Sequence, residues 1–473
     1  MWTLNEREFM RGWLMAGIAV VGLASGAAAQ GPGARLPGNY NGALDAGAIK
    51  LRLALSIERG ANGALGGALT SVDQGGARVP IRVLPQGDTA VRIEASGAVF
   101  QARISANGDT LAGTWDQGGA KLPLTLVRGA AQAAAPARPQ EPKRPFPYRE
   151  EEVSFASVPG VRIAGTLTLP QGRGPFPAAV LITGSGQQDR DESLMGHKPF
   201  LVLSDYLTRR GIAVLRMDDR GEGGSTGDFG AATSADFAND VEAAVRFLAA
   251  RREVARNKIG LIGHSEGGVI APMVATRSRG VAYVVMLAGT GIPGDSLLRL
   301  QGSAVLRSSG ATEEMVRRQG EVQGRIFAAA RGARDSADAA RRIRAALTPE
   351  ERAASASLPD SIPAPMRPLV GPWFRYFLGY DPRPALRRLT VPTLALNGSL
   401  DVQVPPKENL AAIDSALRAA GNRDYRVQEL PGLNHLFQTA RTGSPSEYAT
   451  IEETMSPAAL EAVASWIVQR FVR

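Results

Sequence analysis

The sequence predicts an α/β protein. A mostly parallel sheet is covered by helices on both faces, a helical cap is inserted between two late strands, and a small all-β domain comes first. Three observations predict this. Beyond residue 148, short apolar runs alternate with helical stretches, as strands buried on both faces and joined by crossovers do. Residues 36–129 instead alternate apolar and polar positions between turn signals. Finally, about a hundred residues separate an apolar run ending near Gly289 from the next at Pro392, far too many for a loop.

At the N-terminus, Arg7 and Arg11 precede an apolar stretch from Gly12 to Leu23, followed by small residues ending Ala27-Ala28-Ala29. That is the form of a secretory signal peptide, residues 1–29, cut after Ala29. It predicts an exported protein, periplasmic or extracellular, with no stable membrane span once the signal is removed. In the β domain, IKLRLALSI (49–57) puts Ile49, Leu51, Leu53, Leu55 and Ile57 on one face. ARVPIRVL, TAVRIEA, AVFQARIS, TLAGTW and KLPLTLV continue the pattern, and Gln86-Gly87-Asp88, Asn107-Gly108-Asp109 and Gln117-Gly118-Gly119 signal hairpins. The segment reads as a small antiparallel sheet or barrel without a histidine or a catalytic cluster. An Ala-, Pro- and charge-rich stretch over 130–147 reads as a linker.

From 148 to 473, strands are expected at 151–157 and 161–170, as a hairpin, then at 178–184, 211–218, 258–263, 281–289, 392–398 and 424–432. Helices are expected at 199–211, 234–252, 267–278, 407–421 and 457–471. Helical texture over 313–347 places a cap at about 291–385, above the carboxyl ends of the strands, where ligands bind in open α/β sheets.

Composition excludes several functions. The chain has 54 Lys and Arg against 45 Asp and Glu, a net charge of +9, but the basic residues are scattered and no run of five occurs. No nucleic-acid partner is expected. With no cysteine there are no disulfides, no thiolate nucleophile and no Cys-held zinc. The three histidines, His197, His264 and His435, include no pair at metal-ligand spacing, so neither metal nor cofactor is expected.

Residues 263–267, Gly-His-Ser-Glu-Gly, fit G-x-S-x-G, the pattern of a nucleophile elbow, and so do residues 223–227, Gly-Gly-Ser-Thr-Gly. Context separates them. An elbow needs a strand before the serine and a helix after it. KIGLIG precedes Ser265 and GGVIAPMVATRS follows it, whereas Ser225 has only loop residues around it and reads as a turn serine. A serine hydroxyl needs a base, and the base an orienting acid. His264, next to the serine, should turn its ring away from the hydroxyl and serve as packing or pocket wall. His435 follows the last predicted strand, and Asp401 follows the strand before it. Ser265, Asp401 and His435 fall in the chain order of an α/β-hydrolase. Donors for the oxyanion are expected from the backbone N–H of Glu266 and from the glycine-rich loop 181–192, with Ser185 first and Gly186 second. His197, at the start of a helix, is a candidate pocket residue, as are Trp373 and Phe374 of the aromatic cluster in the cap. Arg190 and Asp191 are expected in a structural salt-bridge network, with each other or with Asp219 and Arg220.

The motifs also carry a resemblance. GSGQQDRDE, HKPFLVLSDYLTRRGIAVLRMDDRGEGGSTG, GLIGHSEGG, GPWFRYFLGYDP, VPTLALNGSLDVQVPPKENL and LPGLNHLFQTARTGSPSEY are similar to secreted bacterial α/β-hydrolases of the serine aminopeptidase-like (S33-type) and carboxylesterase group. The likeness spans roughly 150–473 and, weakly, the β-rich segment. It implies the α/β-hydrolase fold, Ser265 as nucleophile, Asp401 as acid and His435 as base. The sequence departs from the pattern at Thr183, where many relatives carry His before the glycine, which bears on how the oxyanion loop is bonded. The expected activity is hydrolysis of a small-molecule carboxylic ester through an acyl-enzyme. Amide hydrolysis, acyl transfer and a non-catalytic binding protein on the same fold are the alternatives.

Overall fold

The computed structural model describes residues 35–45, 50–60, 63–71, 78–87, 89–95, 98–117, 120–129, 137–353 and 369–472. The signal peptide read at 1–29 lies outside them. The chain divides into two compact units, and the larger comprises Arg138–Ala353 and Arg367–Arg473.

The described part of the smaller unit is a closed barrel of eight strands: β1 (Gly38–Asp45), β2 (Lys50–Arg59), β3 (Leu65–Ser71), β4 (Arg78–Pro85), β5 (Ala90–Ala95), β6 (Ala98–Ile104), β7 (Thr110–Gln117) and β8 (Ala120–Arg128). Each strand pairs antiparallel with the next, and β8 returns to β1. Alternation explains the closure. One side of every strand is apolar, and Leu53, Leu55, Ile57, Phe100, Trp115 and their neighbours fill the interior. β1 and β3 escape the sequence reading because glycine blurs their alternation. Gly67 has φ of +145°, and a Cβ there would overlap the Ser56 carbonyl oxygen. The position demands the residue that hides the strand.

The larger unit is built on an eight-stranded sheet: β9 (Arg149–Ala156), β10 (Arg162–Leu169), β11 (Phe176–Ile182), β12 (Ala213–Met217), β13 (Val254–His264), β14 (Tyr283–Leu287), β15 (Thr393–Gly398) and β16 (Tyr425–Leu430). Their spatial order is β16-β15-β14-β13-β11-β12-β10-β9. β10 is antiparallel to both its neighbours, and all other pairs are parallel. The core strands are buried along their whole length, which is why they read as continuous apolar runs. Helices α1 (Pro199–Thr208), α2 (Ser234–Ala249) and α3 (Gly267–Ala275) follow β11, β12 and β13. On one face of the sheet, α2 and α3 contribute Val241, Val245, Ile270 and Val274 to the core. On the other, α1 contributes Phe200, Leu203 and Leu207.

Between β14 and β15 lie α4 (Gly294–Ser308), α5 (Glu313–Arg331), α6 (Ser336–Ala346), α7 (Pro349–Ala353), α8 (Pro372–Gly379) and α9 (Arg383–Leu386). The C-terminal part adds α10 (Pro406–Ala419) and α11 (Pro457–Phe471). Residues 138–147, read from composition as linker, are fastened to the larger unit instead. The Arg138 guanidinium donates to the carbonyls of Met195, Gly196, Ala449 and Ile451, and Gln140 bonds Met455. Pro and charge marked the stretch as irregular, but irregular backbone still docks where a half-buried guanidinium finds several acceptors. Among the described residues no helix is long and apolar enough to cross a membrane.

Candidate active site

β11 has β12 on one side and β13 on the other, so the sequence order reverses around it. Loops after β11 and β13 therefore open onto one crevice at the carboxyl ends of the strands. Ser265 sits there, between β13 and α3, with φ of +54°. A side chain in that left-handed region marks a tight strand-to-helix turn. The turn is held by Ser265 N–H donating to the Leu287 carbonyl (2.8 Å) and Gly268 N–H donating to the Ser265 carbonyl (3.0 Å). Two glycines make it possible. A Cβ on Gly267 would overlap the Ile182 carbonyl, and one on Gly268 would crowd the Gly289 backbone.

Asp401 lies in the loop after β15 and His435 in the loop after β16. Both are buried, and His435 Nδ1 is 2.8 Å from Asp401 Oδ2. The other carboxylate oxygen accepts the N–H groups of Gln403 and Val404, each at 2.8 Å. One oxygen is thus held by the backbone while the other faces the imidazole, an arrangement that fixes ring orientation and tautomer. The His264 ring packs against His435. Its Nε2 lies 2.9 Å from the His435 carbonyl, and the two ring centroids are 4.8 Å apart.

The loop after β11 is bonded in a way the sequence did not reveal. Thr183 Oγ1 donates to Asp219 Oδ1 (3.0 Å), Gln188 N–H donates to Asp219 Oδ2 (2.8 Å), and Gly184 N–H donates to Glu192 Oε1 (2.7 Å). Desolvation pushes the Asp219 carboxyl well above the usual range, and the Glu266 and Glu192 carboxylates add to this against those two donors. Glu266 stands at the N-terminal end of α3, and its carboxylate accepts from Ser234 Oγ (2.6 Å) and from Trp373 Nε1 (2.7 Å). A cavity of about 20 Å³, room for about one water, lies against Gly184, Gly186, Asp219 and Glu266.

The family model for X-Pro dipeptidyl-peptidases (S15 family) matches residues 159–427, more than half of the chain. The chain belongs to the S15 family. The S15 match contains Ser265 and Asp401 and ends before His435. The motif likeness pointed to the S33-type group, whereas the family whose model matches is S15. A curated relative, Esterase EstD of Thermotoga maritima, is 26% identical over 329 residues, covering 69% of each chain. Among solved structures, Est1E of Butyrivibrio proteoclasticus with bound ferulic acid aligns at 16% identity and a TM-score of 0.42, over 68% of this chain and all of that one. A Pyrococcus furiosus esterase aligns at 14% identity and a TM-score of 0.43, over 72% of this chain and 99% of that one. This S15-family protein is a hydrolase.

The remaining sequence candidates divide. Trp373 reaches the elbow through Glu266 and stacks on Phe377, ring centroids 5.2 Å apart. Phe374 is 1% exposed and packs edge-on against Phe327, so it belongs to the core of the inserted helices rather than to a pocket wall. His197 is also 1% exposed, with Nδ1 3.0 Å from Thr454 Oγ1 and Nε2 2.9 Å from the Tyr448 carbonyl. With no free surface it is a tie between segments, not a ligand contact. Ser225 spends its hydroxyl on the Asp218 carbonyl and the Ala164 N–H, as a turn serine does. Arg190 pairs with Asp218 and Glu152, Asp191 with Arg216, and Arg220 with Asp240. The network exists, with different partners from those the sequence suggested. Sequence reasoning missed Glu192 altogether. Its only signal was its place in DRDE, which reads as surface charge.

Proposed function

We propose that the protein hydrolyses small carboxylic esters through an acyl-enzyme. Ser265 attacks the acyl carbonyl, His435 takes its proton and returns it to the leaving alkoxide, and Asp401 holds the imidazole. Water then attacks the acyl-serine with His435 again as base. The backbone N–H of Glu266 and one from Ser185 or Gly186 stabilise the oxyanion. The observations that carry this reading are the buried Asp401–His435 pair at 2.8 Å and Ser265 in a left-handed strand-to-helix turn. The inserted helices α4–α8 act as the cap that sets substrate size, with Trp373 as its contact to the elbow. The chain reaches its site of action by export, with cleavage after Ala29.

A second reading, release of an X-Pro dipeptide, is favoured by the S15 match. One experiment separates the two. Turnover of p-nitrophenyl acetate and butyrate is compared with turnover of Ala-Pro p-nitroanilide, and a fluorophosphonate adduct is mapped by mass spectrometry. Ester turnover with the adduct on Ser265 supports the esterase reading, and efficient anilide turnover replaces it with the peptidase. Asp401→Asn, which leaves the imidazole in the wrong tautomer, is expected to lower kcat by about 10³- to 10⁴-fold. A loss under tenfold would remove Asp401 from the proposed role.

A further inference from the structure

Glu192 is a buried carboxylate that the reaction does not use. It sits at φ of +53°, a conformation a glutamate does not adopt without strain. Its Oε1 takes two donors from different segments: the Gly184 N–H of the oxyanion loop at 2.7 Å and His264 Nδ1 at 2.9 Å. The opposite ring nitrogen, His264 Nε2, lies 2.9 Å from the His435 carbonyl. A carbonyl can only accept, so His264 Nε2 carries a proton; facing an ionised Glu192, Nδ1 donates as well and the ring is an imidazolium. Burial would lower the His264 imidazole, but Glu192 and the His435 carbonyl outweigh it and hold the group above its ordinary value.

We infer that Glu192 and His264 form a positioning bridge for catalysis. Two side chains join the oxyanion loop after β11, the elbow after β13 and the base-bearing loop after β16. This deepens the proposed function and rests on it. The oxyanion donors and the base belong to loops that the sheet alone does not tie together, and a misplacement of about 1 Å between such groups costs on the order of a hundredfold in rate. The bridge removes that freedom. It also accounts for Thr183. With threonine there, the loop is held by the carboxylates of Asp219 and Glu192. The charged and titratable groups facing His264 are Glu192, Asp401 and His435, and Glu192 in turn faces Asp219.

The test uses the full chain, with Glu192→Gln, His264→Gln and the double variant. Glu192→Gln keeps shape and one acceptor but removes the charge. Each single variant is expected to lower kcat for p-nitrophenyl butyrate about ten- to a hundredfold with KM within about threefold, because the substrate still binds. The double variant is expected to lose little more than either single one, since both break the same bridge. In His264→Gln the acidic limb of kcat/KM is expected to move to higher pH, because a cation facing His435 is gone; a purely structural residue would leave the limb in place. Folded single variants within about threefold of wild-type kcat, or a double variant losing the product of the single losses, would overturn the bridge. If Glu192→Gln fails to fold, His264→Gln carries the same test. Loss of fold in both would also overturn it, because positioning presupposes a fold that stands without the pair. Fluorophosphonate labelling keeps the two readings apart. No adduct on wild-type Ser265 sinks the esterase reading itself, while wild-type labelling with unaffected variants sinks only the bridge.

Discussion

Ser265 holds a backbone that side chains rarely adopt, and the cost is local. For an L-residue the left-handed region is disfavoured by about 1–2 kcal/mol. Ser265→Ala is therefore expected to keep the strain and lose turnover by on the order of 10⁴-fold or more. Ser265→Gly should be equally inactive yet more stable than the alanine variant by about 1 kcal/mol. Equal melting temperatures for the two would show that the turn is not strained. His197 makes a second prediction at this scale. Burial depresses its imidazole to about 4 from an ordinary 6.5, against the raising effect of the Tyr448 and Ile451 carbonyls. Between those values the unfolded chain binds more protons than the folded one, so stability falls as pH drops through the window. His197→Gln should flatten the fall in Tm between pH 6.5 and 4, by an amount corresponding to on the order of 3 kcal/mol. An unchanged slope would assign the acid sensitivity elsewhere. His264, raised rather than lowered, acts in the opposite sense, and its contribution is lost as pH rises.

The elements explain why the elbow was readable and its surroundings were not. Apolar runs of KIGLIG type mark buried strands whatever they neighbour, and α2 announces its start by a capping box in which Thr233 and Asp236 bond reciprocally. The glycines leading α3 let helix and strand approach closely, and the backbone atom that Gly267 meets is the Ile182 carbonyl. Gly267→Ala should accordingly lower Tm by the equivalent of 2 kcal/mol or more, since the atom it would strike is backbone. A tolerated alanine would mean that helix and strand can separate. The inserted helices were legible as helices but not by role. Phe374 and Trp373 are adjacent aromatic residues on α8, yet one is core and the other reaches Glu266. Neighbouring residues on one turn face different surroundings, and sequence carries no signal for which face meets which partner.

At the scale of the whole molecule there are two units with separate cores. Leu53, Phe100 and Trp115 belong to the barrel, and Val180, Val241 and Ile270 to the sheet unit. Calorimetry of the full chain is expected to resolve two transitions, whereas a single one would mean that the cores melt together. What the sequence by itself determined is what depends on local order along the chain: strand and helix periodicity, the parallel sheet with its leading hairpin, the elbow at Ser265, and the succession of Ser265, Asp401 and His435 at the ends of strands. Only the tertiary structure decided what depends on contacts between distant segments. It closed the barrel through the glycine-rich β1 and β3, docked residues 138–147, removed His197 and Phe374 from the pocket, redistributed the salt bridges of Arg190 and Asp191, and placed Glu192 beside His264. Periodicity arises from the geometry of one segment with its neighbours, so it survives in the sequence. The partner of a buried charge is set by which loops the sheet order brings together, and no residue encodes that alone.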